Sequence, residues 1–259
     1  MVRIIDVCSG KGGVGKTTVA ANLGVALQRF NKKVVVIDCN LTTSHLGLLF
    51  GEYSYPVTLN NFLRNESRIE DATYTHSSGL RIVPASLDIK DIVNIDTNDF
   101  KQKLKTAFEG YDIVLLDSAP SLGKESLLAL QSSDEVLFVA NPYIPSLVDI
   151  AKCYQVINTL ENKPIPIGII LNRVRKKPYE LKSDEIKQFT QLPIIGVVPE
   201  DENVLESTNK KTLVTVSKKN SSSSKAFFEI AAKIAGVENR KHGFVYSLMK
   251  FLGRRKYEN

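Results

Sequence analysis

Short apolar runs of strand length recur along the chain at 3–7, 33–38, 80–84, 112–117, 135–140, 166–171 and 193–198, each rich in β-branched residues. Most lack the apolar/polar alternation of a half-exposed strand, so they are expected to be covered on both faces. Helical spacing of apolar residues marks the segments 16–30, 99–109, 124–131, 146–160, 183–191 and 225–235. The alternation of the two patterns predicts an α/β protein with a mostly parallel, twisted sheet and helices on both faces. Four serines at 221–224 precede Ala226, Phe227, Ile230, Ala231 and Ile234, so they are expected to lead into and cap a closing helix rather than to act as a flexible linker. One domain over 1–237 follows, leaving 238–259 as a linker and tail.

The tail has a pattern of its own. At 100° per residue, Phe244, Val245, Leu248, Met249, Phe251 and Leu252 fall within an arc of about 160°, with Lys250 and Arg254 on the opposite side and Arg255 at the end, where its stem can snorkel. Twelve residues make about 18 Å of helix, too short to cross a bilayer but suited to lying in its interface.

Composition narrows the class. With 259 residues, 43% hydrophobic and 24% charged, the chain can bury a full core, which excludes a disordered or disulfide-scaffold protein. Its net charge of +6 is unevenly spread, since residues 238–259 hold six basic against two acidic side chains. The body is therefore nearly neutral, and the excess favours an anionic membrane surface over DNA as the tail's partner. Cys8, Cys39 and Cys153 lie far apart, and His45, His76 and His242 are scattered, so neither set suggests a metal site. No apolar run approaches a membrane span, and the amino-terminal run lacks the features of a signal peptide, so the expected location is cytoplasmic, peripheral on the inner face of the cell membrane.

The chemistry is concentrated after the first strand. Gly10, Gly15, Lys16 and Thr17 satisfy G-x-x-x-x-G-K-[ST], between a strand that leads in and a helix that leads out. Successive N–H groups of Gly12, Gly13, Val14, Gly15, Lys16, Thr17 and Thr18 then converge with the helix N-terminus on one anionic site. Lys16 would reach the β- and γ-phosphates of ATP, and the Thr17 hydroxyl would ligate Mg²⁺.

Lys11, Gly12, Gly13, Gly15, Lys16, Thr17 and Thr18 also match K-G-G-x-G-K-T-T at every fixed position, which resembles the deviant P-loop ATPases of the MinD/ParA family. The resemblance implies that Lys11 reaches across a nucleotide-sandwich homodimer to the partner's phosphates, as an arginine finger does. It continues through the strand ending at Asp38 and the following switch I region. It also covers 112–123, where Asp117 resembles the aspartate that holds Mg²⁺ through water. Asn172 and Arg173, and Pro199, Glu200 and Asp201, resemble the two segments of an adenine pocket. One position departs: Asn40 stands where the family usually has a second aspartate that helps to position or activate the attacking water. Asparagine can orient water but cannot take its proton. Slow hydrolysis is therefore expected, with Lys11, Lys16, Asp38 and Asn40 as the catalytic set.

The function implied is a MinD-like ATPase that binds ATP or ADP with Mg²⁺, dimerises, and cycles on the membrane to position an unidentified cargo, with an activating protein that the sequence does not name. A ParA-like partition ATPase that binds DNA non-specifically is the alternative, with a local basic patch at Arg173, Arg175, Lys176 and Lys177. A nucleotide-gated scaffold with very slow turnover is a further one. A metal-cluster carrier of the same superfamily would need paired cysteines.

Overall fold

A computed structural model describes residues 1–237, so the expected linker and amphipathic tail lie outside the described residues. Strands β1 (Arg3–Cys8), β2 (Val34–Cys39), β3 (Tyr74–Thr75), β4 (Arg81–Val83), β5 (Ile113–Ser118), β6 (Glu135–Ala140), β7 (Ile165–Val174) and β8 (Ile194–Pro199) form one sheet, ordered β3-β4-β2-β5-β1-β6-β7-β8. Every neighbouring pair is parallel except β3 with β4. The seven apolar runs are all strands. Only β3, too short to show a pattern, was not legible.

Burial on both faces explains the continuous apolar runs: no residue of β2 or β5 is exposed. Helices α1 (Lys16–Gln28) and α10 (Ser222–Ile234) cover one face, over Ile5, Val7, Val36 and Leu115. On the other face, α4 (Phe100–Ala107) and α5 (Lys124–Ser132) pack over Ile4, Val114 and Leu116. Helices α6 (Ile144–Thr159) and α7 (Ser183–Thr190) extend that layer over β6 and β7. Four further helices, α2 (Leu46–Leu49), α3 (Leu59–Leu63), α8 (Glu202–Asn209) and α9 (Val214–Ser217), each of about two turns or fewer, are not among the segments expected from the periodicity.

The serine run is part of the last helix rather than a loop before it. Ser221 is the N-cap, its hydroxyl accepting from Ser224 N at 3.2 Å, and the helix starts three residues earlier than the apolar pattern indicates. Buried Ser224 donates to Val214 O at 2.8 Å, and buried Ser223 donates to Asp201 Oδ2 at 2.9 Å, so the polar groups of this first turn are satisfied internally. At the other end of α10, Arg3 donates from Nη1 to Ile234 O at 3.0 Å and also forks onto Glu135 with two 2.7 Å bonds. The close of α10 is thereby fixed to the amino end of β1.

Topology places the site. From β1 the chain passes to β2, leaving a gap that β5 later fills, whereas β6 lies on the opposite flank of β1. Connections diverge at the carboxyl end of β1, where the loops after β1, β2 and β5 meet in a crevice.

Candidate functional site

The loop between β1 and α1 is shaped by two constraints. Gly15 has φ +92°, left-handed backbone that side chains disfavour, and a Cβ there would run into the Asn172 amide. Gly10 has no room either, because its Cβ would strike Asp149 on α6. Val14 is 1% exposed and belongs to the core, so it anchors the loop and offers only its backbone outward.

Two loop carbonyls are held from outside. Asn172 Nδ2 donates to Val14 O at 2.8 Å, and Arg173 Nη1 donates to Gly13 O at 3.1 Å. Neighbours in a regular strand point to opposite faces, so both reaching the same loop needs a break in β7. The break is a register shift between Leu171 and Val174, with Arg173 at φ +57°. With these carbonyls occupied and the first-turn N–H groups of α1 without intrahelical partners, the loop presents donors to an anion.

A cleft of about 390 Å³ lies over the loop, lined by Gly12 through Thr18 together with Asn40, Thr43, His45, Leu49, Pro120 and Arg173. Lys16 is 8% exposed at its base. Asp117, at the carboxyl end of β5, is buried and neither of its oxygens has a hydrogen-bond partner. Burial pushes its pKa up to about 7, with the help of Asp38 and against the pull of the Lys16 charge and the nearby Thr17 hydroxyl. An unpartnered buried carboxylate beside a phosphate loop fits a hydrated Mg²⁺, which takes one or two carboxylates and completes its shell with water and substrate phosphates. Thr17, the first residue after Lys16, would supply the hydroxyl ligand. Among the described residues no group of three or more His, Cys, Asp or Glu could hold a metal alone.

Asp38 differs from Asp117 in being fully engaged. Its Oδ1 accepts from Asn40 N at 3.0 Å, and its Oδ2 accepts from Ser44 Oγ at 2.7 Å, Leu46 N at 3.1 Å and His45 N at 3.2 Å. Burial raises its pKa, opposed by those donors. Asp38 thus folds the loop 40–46 and starts α2. Asn40 is engaged as well: its Nδ2 donates to Thr43 O at 2.6 Å and its Oδ1 accepts from Thr43 Oγ1 at 3.0 Å.

Other expected residues take different places. Lys11 is half-buried on the loop, its carbonyl accepting from Ser9 Oγ at 2.9 Å, and it does not line the cleft. Pro199, which ends β8 next to Val174, and the following Glu200 and Asp201 also lie outside that lining. Asp201 ties two helix starts together, because one oxygen accepts from Asn203 N at the start of α8 while the other receives Ser222 and Ser223 of α10. These donors hold its carboxyl well below the usual range despite burial that opposes them. Thr43, His45 and Pro120 join the cleft without having been singled out as site residues. Their proximity to it depends on how the two loops fold, which no local pattern announces.

A family model described as an AAA domain matches residues 2–167. An uncharacterized ATP-binding protein of Methanocaldococcus jannaschii is 35% identical, covering 98% of each chain. The cell division ATPase MinD of Pyrococcus furiosus superposes with a TM-score of 0.86 at 31% identity, covering 92% of this chain and all of that one. The septum site-determining protein MinD of Pyrococcus horikoshii, solved with Mg-ADP, gives a TM-score of 0.84 at 31% identity, covering 90% of this chain and 96% of that one.

Proposed function

The chain belongs to the MinD/ParA family of P-loop ATPases, and from that premise we propose that it hydrolyses ATP as a nucleotide-sandwich homodimer that cycles on an anionic membrane to position a partner. It is a MinD-like, nucleotide-binding protein that uses ATP or ADP with Mg²⁺. The observation that carries the catalytic part is Asp117, a buried carboxylate without a partner, in the electrostatic reach of Lys16 at the base of the loop.

Each residue has a role in this reading. The loop N–H groups and Lys16 bind the phosphates, and bound Mg²⁺ would neutralise charge on the terminal ones. Asn172 and Arg173 hold the loop in shape, and with Pro199, Glu200 and Asp201 they are the proposed adenine side. Asn40 orients water without taking its proton. Lys11, outside its own cleft lining, acts in the partner's site. Closing the dimer pairs two tails, and avidity raises membrane affinity beyond that of one helix. Hydrolysis reverses this.

Turnover is expected to be slow, and Asn40→Asp should raise it by about tenfold in a phosphate-release assay. A positioned catalytic group supplies roughly ten- to thousandfold. The low end applies because the new carboxylate would face the Thr43 carbonyl that Asn40 now binds as a donor. An unchanged rate would show that this position does not limit the chemistry.

The membrane part is tested by co-sedimentation with anionic vesicles at low salt, with ATP, with ADP and without nucleotide. Binding should be strongest with ATP, weaken with salt, and be lost in Phe251→Glu, which puts a charge on the apolar arc without altering ATP affinity. A parallel gel-shift assay covers the partition reading, which one surface favours. The end of β7 and the loop after it expose Arg173, Arg175, Lys176 and Lys177. Glu180 pins this loop by accepting from the N–H groups of Arg175 at 3.0 Å and Lys177 at 3.3 Å. DNA retardation without vesicle binding would replace the membrane reading with that one.

A further inference from the structure

The two loops that flank the terminal-phosphate side of the cleft are joined by one side chain. Glu125 lies in the first turn of α5, immediately after the segment 118–124 that follows Asp117 and carries Pro120 into the cleft lining. Its carboxylate turns away from its own helix. Oε2 accepts from Leu41 N at 3.0 Å and Oε1 accepts from Thr42 Oγ1 at 2.7 Å. Leu41 and Thr42 directly follow Asn40, so the contact is made beside the residue expected to handle water.

The loop 40–46 therefore has two kinds of anchor. Asp38, on its own strand, fixes its inner side with four hydrogen bonds. Glu125 holds the outer side from a different strand–helix unit. Leu41 is 4% exposed, so without Glu125 its N–H would be buried without a partner, a costly arrangement that a shifted loop would relieve. Asn40 and Thr43 bind each other, so displacing Leu41 and Thr42 displaces the whole Asn40–Thr43 unit. At the opposite end of the lever, Ser121 sits at φ +64°, a conformation that serine adopts only when its surroundings impose it.

Resting on the nucleotide-binding reading above, we propose that Glu125 is a positioning residue that couples the two phosphate-facing loops, holding Asn40 in place only while the segment 118–124 is seated. Glutamate suits this coupling because two oxygens on one planar group accept a backbone N–H and a hydroxyl together. Glutamine retains that geometry: its amide oxygen can accept from Leu41 N while its amide nitrogen donates to the Thr42 oxygen. Alanine removes both bonds.

The test measures full-length wild type, Glu125→Ala and Glu125→Gln in three ways. These are ATP affinity by calorimetry, single-turnover hydrolysis, and amide hydrogen exchange of the peptide containing 40–46 with a non-hydrolysable ATP analogue and Mg²⁺. Glu125→Ala should bind ATP within about twofold of wild type, hydrolyse it tenfold to a hundredfold more slowly, and lose exchange protection at 40–46, whereas Glu125→Gln should recover all but about threefold of the rate. Unchanged rate and protection in Glu125→Ala, with ATP binding intact, would overturn the coupling and leave the ATPase reading standing. So would a Glu125→Gln variant as impaired as alanine. Failure of the wild type itself to bind ATP would instead remove the reading on which the coupling rests.

Discussion

Replacing Lys16 with alanine is expected to lower ATP affinity by at least a hundredfold in calorimetry with Mg²⁺. A charged hydrogen bond to phosphate contributes about 1.5–3 kcal/mol, and loss of the ammonium also leaves buried negative charge uncompensated. That second effect is large here because Lys16, itself buried, acts on the carboxylates of both Asp6 and Asp117. The variant should therefore also unfold more easily, and increasingly so as pH rises and the carboxylates ionise. Wild-type affinity in Lys16→Ala would remove the phosphate-loop assignment.

The second large effect concerns Asp6, which lies in the central strand β1 with no exposure and no hydrogen-bond partner for either oxygen. Burial pushes its pKa up to about 8, opposed by the nearby Ser118 hydroxyl and by Lys16, and reinforced by Asp117. An unfolded aspartate titrates near 3.9, so between roughly pH 4 and 8 the folded chain holds a proton that the unfolded chain has released. Folding takes up that proton, and the contribution of Asp6 to stability falls as pH rises through this window and levels off above it. Asp6→Asn removes the slope. It should match wild type near pH 4 and exceed it by about 2–4 kcal/mol at pH 8.5, below the ~5 kcal/mol of full linkage because the surroundings relax around a buried charge. For a chain of this size the gain corresponds to about 5–10 °C in melting temperature. Parallel pH profiles for variant and wild type would show instead that the Asp6 carboxyl titrates alike in the folded and unfolded states.

Both predictions turn on what could and could not be read in the amino-acid string. The phosphate loop was legible because its glycines and lysine act locally, within nine residues, and because a strand and a helix must bracket it. The strands were legible because cover on both faces leaves each one apolar throughout. Asp6 interrupts such a run without altering the strand it belongs to, and its cost appears only once neighbouring side chains fail to reach it. The bond from Leu41 to Glu125 joins positions 84 residues apart. The bulge that sends both Asn172 and Arg173 to the phosphate loop is equally silent in sequence, since Leu171 to Val174 would otherwise continue a regular strand. Asp201, expected on the adenine side, also has a place in the fold that the sequence does not announce, since its hydrogen bonds tie the starts of α8 and α10.

Under the proposed membrane tethering, the clasp of Arg3 on the last turn of α10 bears on the molecule's orientation. It fixes the exit of the chain near Val237 at the amino pole of β1, while the cleft opens at the carboxyl pole, one strand length or about 20 Å away. A molecule tethered through the residues beyond Val237 would hold its nucleotide edge outward, like a plate standing on its rim. The switch loops would then stand about one strand length from the lipid, leaving that edge free for the partner copy to close on.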